Sequence, residues 1–240
     1  MSENLPEAGR PTTERVHGIF SAIAGRYDVF NALASMGIDR SWRRAMVRAC
    51  ALDRRSRVLD LCSGTGDVAF ALADQGRPAE VVATDFVPEM LAVAEKKAAA
   101  RPPAVPVSFS VADAQDLPFD DASFDVVTVA FGVRNLPERE RNFAEVLRVL
   151  KPGGRYVILE FSTPPFAPWR GVYHVYLNHA IPAIGGLLTG DRSGFVYLND
   201  SIRQFPSQPQ LAEELRVAGF SAVTWKDLSG GIVAIHTAVK

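Results

Sequence analysis

The stretch Leu59-Asp60-Leu61-Cys62-Ser63-Gly64-Thr65-Gly66-Asp67 decides how the rest of the chain is read. An apolar run that begins at Val58 ends in it, small residues turn the chain from Ser63 to Gly66, and a helical pattern starts at Asp67. Strand, glycine turn and helix in that order form the first unit of a parallel α/β sheet. Gly64 and Gly66 permit positive φ and leave the backbone bare for close approach of a ligand. In an open parallel sheet such a loop borders the crevice beyond the carboxyl ends of the strands.

Working outward, apolar runs at 81–85, 107–111, 124–131 and 155–161 predict four further strands. Helical patterns at 88–100 and 138–150 separate them, and Lys151-Pro152-Gly153-Gly154 has turn chemistry. A helix over 208–218 and strands over 221–227 and 232–239 close the chain. The alternation predicts an α/β fold: one domain with a doubly wound, mostly parallel, seven-stranded sheet, Rossmann-like and covered on both faces. Around the core at 57–162 lie a flexible tail (1–14), N-terminal helices (15–56), an insert after the fifth strand (163–206) and the closing segment (207–240). Val16, Ile19, Phe20 and Ile23 recur at helical spacing, and a second helical stretch runs over 41–51. Arg40, Arg44 and Arg48, with Arg43 beside them, fall on one face there, as either a solvated face or a patch for anionic lipid head groups.

Composition excludes several classes. With 240 residues, 48% of them hydrophobic, the chain can bury a full core. Lys plus Arg is 26 and Asp plus Glu is 27, a balance that argues against a nucleic-acid partner. Two cysteines, Cys50 and Cys62, make no disulfide framework, and the polar start shows no signal peptide, so a cytoplasmic location is expected. Residues 171–190 contain no charged side chain at all. Their length reaches that of a membrane span. His174, Asn178, His179, Pro182 and the Gly185-Gly186 pair, inside an α/β domain, argue for a buried helix with a loop or for a lid instead.

Gly64-x-Gly66-x-x-Ala69 formally fits the dinucleotide fingerprint, so an NAD-dependent oxidoreductase is one reading. Asp67 argues against it, because a carboxylate at the helix N-terminus repels a pyrophosphate and suits a cationic ligand. Asp60 places a second carboxylate near the loop. Asp85 ends the second strand, where it can accept hydrogen bonds from both ribose hydroxyls or stand as a plain surface carboxylate. A phosphate-free nucleoside with a positive centre, S-adenosylmethionine, fits better than NAD.

The loop, Asp85, Asp113-Ala114, Phe124-Asp125-Val126-Val127 and Leu150-Lys151-Pro152-Gly153-Gly154 together resemble the class I S-adenosylmethionine-dependent methyltransferases. The resemblance implies Gly64, Thr65 and Gly66 along the methionine moiety, Asp85 at the ribose, and Asp113 with Ala114 at the adenine. Asp113 also reads as a loop or helix-cap carboxylate. Further segments narrow the choice: Arg26-Tyr27-Asp28, Gly37-Ile38-Asp39-Arg40-x-Trp42-Arg43, Phe131-Gly132-Val133-Arg134-Asn135, Leu159-Glu160-Phe161-Ser162 and Ser201-Ile202-Arg203-x-Phe205-Pro206, with Ala218-Gly219-Phe220 and Gly230-Gly231-Ile232-Val233-Ala234-x-His236. These resemble the menaquinone and ubiquinone C-methyltransferases from Val16 to Lys240. The resemblance implies methylation of a ring carbon of a polyprenylated quinol, with Cys62-Ser63-Gly64 and Asp85-Phe86 closer to the menaquinone branch.

Such a reaction needs a ring hydroxyl to lose its proton, so that the anion delocalises onto the ortho carbon. Arg134 and Asn135, just past the fourth strand, are the candidates to stabilise that anion; a loop-anchoring salt bridge is the other reading of Arg134. Tyr27 is a candidate to cover the methyl donor or touch the quinol, or else a half-buried core aromatic. His174 and His179 are outside candidates for the base. No HxxxH or CxxC pattern is present, so no metal is expected. The other classes left open are a different methyltransferase on this scaffold and a non-catalytic nucleoside-binding module. The oligomeric state stays open, a homodimer included. The insert is expected to act as a lid that meets a prenylated substrate at the inner face of the membrane.

Overall fold

The structure, a computed structural model, describes residues 12–189 and 193–240. Residues 1–11 of the expected tail and Gly190 lie outside the described residues, as do the side chains of Ile23 and Arg26. The chain opens with α1 (Thr13–Ile23), α2 (Tyr27–Ala34) and α3 (Asp39–Cys50). It continues through β1 (Arg57–Leu61), α4 (Asp67–Ala71), β2 (Glu80–Asp85), α5 (Pro88–Ala100), β3 (Val107–Val111), β4 (Phe124–Ala130), α6 (Arg139–Val149) and β5 (Leu150–Phe161). The insert holds α7 (Ala167–Val175), α8 (Ile181–Thr189) and α9 (Ser193–Gln204), and α10 (Gln208–Ala218), β6 (Ser221–Leu228) and β7 (Val233–Val239) complete the fold.

The seven strands form one sheet in the order β3-β2-β1-β4-β5-β7-β6. Strands β1 to β5 are parallel, and β7 runs antiparallel to both β5 and β6. The order reverses between β1 and β4, so the crevice at their carboxyl ends is the switch point where such sheets bind ligands. Strand alternation sets the two faces. Leu59 and Leu61 pack with Phe143 and Val146 of α6 and Leu211 and Leu215 of α10, while Val58 faces Met46 and Val47 of α3. Each such buried side chain contributes about 1.5–3 kcal/mol. Asp60 shares the face of Val58, one strand period further toward the crevice.

Lys151 to Gly154 prove to be a bulge in β5 rather than a turn before it. The register with β4 jumps from Phe124↔Leu150 to Val126↔Arg155, and Gly153 takes φ 76°. The Gly153 N–H donates to the carbonyl of Lys240 (3.1 Å), which ties this bulge to the end of β7. A 3-10 turn (Ala24–Arg26) ends the first helix and leads straight into α2, a helix the sequence pattern did not predict. The insert is helical as well. Tyr173, Leu177 and Ile181 recur at every fourth position across α7, a π-helical turn (Tyr176–Ala180) and α8, and pack with Phe30 and Ile202. That burial accounts for the uncharged inner face, whereas Val172, Val175, Asn178 and His179 on the other side are exposed. No helix among the described residues is long and apolar enough to cross a membrane.

Candidate active site

The glycine loop leaves β1 with Cys62 at φ 51°, Gly64 at φ 54° and Gly66 at φ 84°. A Cβ on Gly66 would lie 2.9 Å from the Phe70 ring and 3.1 Å from Ala94 Cβ, so only glycine fits. The Ser63 N–H and Oγ both donate to the Thr84 carbonyl (2.9 and 3.1 Å), pinning the loop to the end of β2. Asp85 completes the pin. Its Oδ2 accepts the Gly64 N–H (2.8 Å) and its Oδ1 the Val87 N–H (2.9 Å). Burial raises the Asp85 pKa, and the three backbone bonds it accepts pull it back down. With three of the carboxylate's roughly four lone-pair sites taken, one remains for a ligand hydroxyl. The Asp85 carbonyl accepts the Ala112 N–H (3.1 Å), which brings the loop after β3 alongside. There Asp113 is exposed, with Oδ1 accepting from Gln115 N–H (2.9 Å), and Ala114 is buried with its carbonyl accepting from Asn142 Nδ2 (2.7 Å).

Asp60 lies fully buried at the base of this crevice. Thr128, its register partner on β4, donates to Oδ1 at 2.6 Å, and Oδ2 has no partner among the described residues. Burial first, and the neighbouring Asp85 charge second, raise its pKa to about 7 despite the Thr128 bond. A buried carboxylate with an unused oxygen is costly on its own and suits a cationic amino group. The glycine cradle and this orphaned oxygen both fit the amino-acid end of S-adenosylmethionine.

Asp67 does something other than face a ligand. It pairs with Lys97 (2.9 Å) and Arg43 (3.2 Å). Arg43 also pairs with Asp39 (2.7 Å), and Lys97 with Asp28 (2.6 Å), whose other oxygen accepts the Thr65 hydroxyl (2.5 Å). This chain of charges fastens α2 and α3 across the mouth of the loop. Arg43 therefore turns inward from the stripe expected on its helix, while Arg40, Arg44 and Arg48 are exposed.

The loop after β4 holds the candidate catalytic pair. Phe131 takes φ 56°, and its carbonyl accepts from both Arg134 Nη1 (2.5 Å) and Asn135 Nδ2 (3.3 Å). Gly132 sits where a Cβ would collide with Cys62 at 2.6 Å, so this loop packs directly on the glycine loop. Arg134 Nη1 pairs with Glu160 Oε1 at 2.7 Å, and both side chains are buried, 5% and 2% exposed. Burial raises the Glu160 pKa, and Arg134 pulls it back down. The salt bridge read as the alternative for Arg134 thus exists, yet Arg134 also lines a cavity of about 410 Å³. Around it stand Tyr27, Phe30, Trp42, Phe161 and Tyr173. The Phe131 and Phe161 rings lie 4.6 Å apart, and the Arg134 guanidinium covers Phe161 at 5.3 Å. A volume of this size, mostly apolar with a few polar groups, is that of a small-molecule site.

Tyr27 stands where the two regions meet. It packs with Phe20, Phe86 and Val87 near the end of β2, hydrogen-bonds Asn31, and feels the charges of both Arg134 and Asp85. The structure thus gathers Asp60, Gly64, Thr65, Gly66, Asp85, Asp113 and Ala114 around one crevice, and Tyr27, Arg134 and Asn135 on the adjoining cavity. His174 and His179 are not among the cavity-lining residues; His179 is exposed, and His174 lies half-buried beside Tyr173. Glu160 carried no predicted role in the sequence. Its signal was an acid inside an apolar strand, which needs a buried partner. Tyr173, Tyr197 and the Asp28–Lys97 link left no local signal.

Strand order, glycine loop and acidic strand ends define a class I S-adenosylmethionine-dependent methyltransferase fold. Solved structures agree on the fold: the [4+2]-cyclase SpnF matches with TM-score 0.72 at 20% identity, covering 100% of this chain and 99% of its own. Phosphoethanolamine N-methyltransferase 2 of Haemonchus contortus, solved with S-adenosyl-L-methionine, matches with TM-score 0.61 at 17% identity, covering 82% of this chain and 52% of its own. Residues 10–240 match the ubiE/COQ5 methyltransferase family, and the chain belongs to that family. It is 45% identical over 218 residues to a demethylmenaquinone methyltransferase of Thermus thermophilus, covering 91% of this chain and 98% of the relative. It is 43% identical over 229 residues to a ubiquinone/menaquinone biosynthesis C-methyltransferase UbiE of Geotalea daltonii, covering 95% and 97%.

Proposed function

We propose that this enzyme methylates a ring carbon of a polyprenylated naphthoquinol, converting demethylmenaquinol to menaquinol. The observation that carries the reading is the aromatic, mostly apolar cavity adjoining the glycine crevice, with one buried arginine on its wall. When bound, S-adenosylmethionine supplies an electrophilic methyl group. Asp60 holds the amino group through its unused oxygen, Gly64, Thr65 and Gly66 lie along the methionine moiety, Asp85 holds the ribose, and Asp113 with Ala114 borders the adenine. Tyr27 separates donor from acceptor. The ring hydroxyl gives its proton to water, Arg134 stabilises the resulting anion, and Asn135 fixes the loop. As the ortho carbon takes the methyl, the carbon–sulfur bond breaks to leave S-adenosylhomocysteine. The same carbon then loses its hydrogen to water as a proton while the ring oxygen is reprotonated, restoring the aromatic quinol. The aromatic walls exclude bulk water, which strengthens that electrostatic contribution. Mass spectrometry of membrane quinones from a strain lacking the gene should show demethylmenaquinone accumulating; an unchanged quinone pool rejects the reading.

Asp60 predicts a pH signature. In the free protein its carboxyl is largely protonated below pH about 7, and a bound ammonium favours the charged form. S-adenosylhomocysteine binding should therefore weaken as pH falls below about 7, by up to tenfold per unit, and should release a proton there but not above. Calorimetry in buffers of different ionisation enthalpy reads the proton, and Asp60→Asn should flatten the dependence. A pH-independent affinity in the unsubstituted protein counts against the role.

The insert supplies the lid of the cavity. Met36, Ile38, Trp169 and Val172 are exposed and line the cavity at once, so they form its apolar rim. Arg40 and Arg44 follow directly along α3, also exposed. An anionic bilayer surface complements both features and is where a prenylated substrate resides. Flotation with anionic liposomes should carry the protein, and Met36→Asp with Trp169→Asp should release it. Failure of the unsubstituted protein to float removes the membrane contact.

A further inference from the structure

Most polar side chains on the cavity wall are already engaged. Trp42 Nε1 donates to Ser229 Oγ (2.8 Å), and Asp39 accepts from Ser35 and pairs with Arg43. The Tyr176 hydroxyl donates to the Ala34 carbonyl, and the Tyr197 hydroxyl to Asn135 Oδ1 (3.1 Å). Two buried donors on this wall have no partner among the described residues: the Tyr173 hydroxyl and Arg134 Nε. Tyr173 is 3% exposed, on the inward face of α7, within electrostatic reach of Arg134. A buried donor left unpaired is a rarity that calls for a ligand or another specific cause. Both belong to residues that line one cavity, and their chemistry is that of an anion cradle, a phenol O–H within electrostatic reach of a guanidinium.

We infer that Tyr173 is a substrate-binding residue, its hydroxyl donating to a ring oxygen of the bound quinol while Arg134 Nε donates to the same oxygen. This rests on the quinol reading above. Tyr173 stays a donor throughout the working pH range, because burial pushes its ionisation well up, Glu160 and Tyr176 add to the rise, and Arg134 only partly offsets it. The oxygen it takes is the one that loses its proton to water; Tyr173 keeps its own proton. Two donors placed before the anion forms lower the pKa of the bound hydroxyl and favour attack from the ortho carbon.

Tyr173→Phe removes one unpartnered oxygen and nothing else, so the fold, the Tm and S-adenosylhomocysteine binding should be retained. The Kd for a short-prenyl demethylnaphthoquinol, measured anaerobically with S-adenosylhomocysteine bound, should rise. Its kcat/KM should fall by about 10- to 100-fold, the range of a hydrogen bond to a charged acceptor. The limb of the pH–kcat profile that rises with substrate ionisation should move up by about 1–2 units. A purely structural tyrosine would move none of these. An unchanged Kd, kcat/KM and pH limb overturns the inference. If the unsubstituted enzyme binds the naphthoquinol in a Tyr173-dependent way but transfers no methyl, the oxygen site stands and the methylation reading falls. If it does not bind the naphthoquinol at all, both fall.

Discussion

Replacing Arg134 with alanine should lower kcat by about 10²–10³-fold, the usual effect of removing one preorganised donor to a developing anion, while S-adenosylhomocysteine binding stays unchanged. The nucleoside contacts proposed above come from β1, β2 and the loops after β1 and β3, whereas the guanidinium bonds to Glu160 and the Phe131 carbonyl. The same change breaks a buried pair and strands Glu160, at a cost of about 3–5 kcal/mol. The pH dependence follows. Glu160 already has a raised pKa, and losing Arg134 raises it further. The variant's folded state then binds more protons than its unfolded state between the unfolded and folded pKa values of Glu160. Its stability falls as pH rises through that window, and its deficit against the unsubstituted protein, smallest at low pH, grows between the two proteins' folded-state Glu160 pKa values. Adding Glu160→Gln should restore much of the stability but none of the turnover. Denaturant unfolding at two pH values and a turnover assay decide it; full activity in Arg134→Ala sinks the assignment.

Asp85→Ala should weaken S-adenosylmethionine binding by about 10- to 100-fold, since the proposed ribose hydrogen bond to a charged acceptor would be lost. It should also destabilise the fold, because the Gly64 and Val87 N–H groups lose their acceptor. Each stranded donor costs about 1–3 kcal/mol. Asp85→Asn separates the two effects. It keeps carbonyl oxygen for one N–H but not the charge, so affinity should fall more than stability. A dissociation constant unchanged in either variant removes Asp85 from the ribose.

The parallel core was legible because β1 through β5 are apolar runs of strand length, cut by Gly64, Gly66 and turn chemistry. Local periodicity fixes such elements without knowledge of their neighbours. The insert was not legible. Tyr173, Leu177 and Ile181 keep a spacing of four, but the absence of charge around them blurs the amphipathic contrast that marks a helix. Asp67 shows the same limit at the site. Its position at a helix N-terminus suggested a ligand contact, yet Arg43 and Lys97, distant in sequence, neutralise it. The acid with an oxygen to spare is Asp60, buried by a strand and a helix that no local pattern places over it.

By itself, the sequence determined the strand-loop-helix core, the glycines that must take positive φ, the acids at the strand ends and the family that carries them. These depend on backbone stereochemistry and short-range spacing. Tertiary structure alone decided which polar groups remain free. Burial and pairing are set by side chains far apart in the chain, and so only the fold shows that Arg134 is held by Glu160 and that the hydroxyl of Tyr173, a residue of the same cavity wall, has no partner among the described residues.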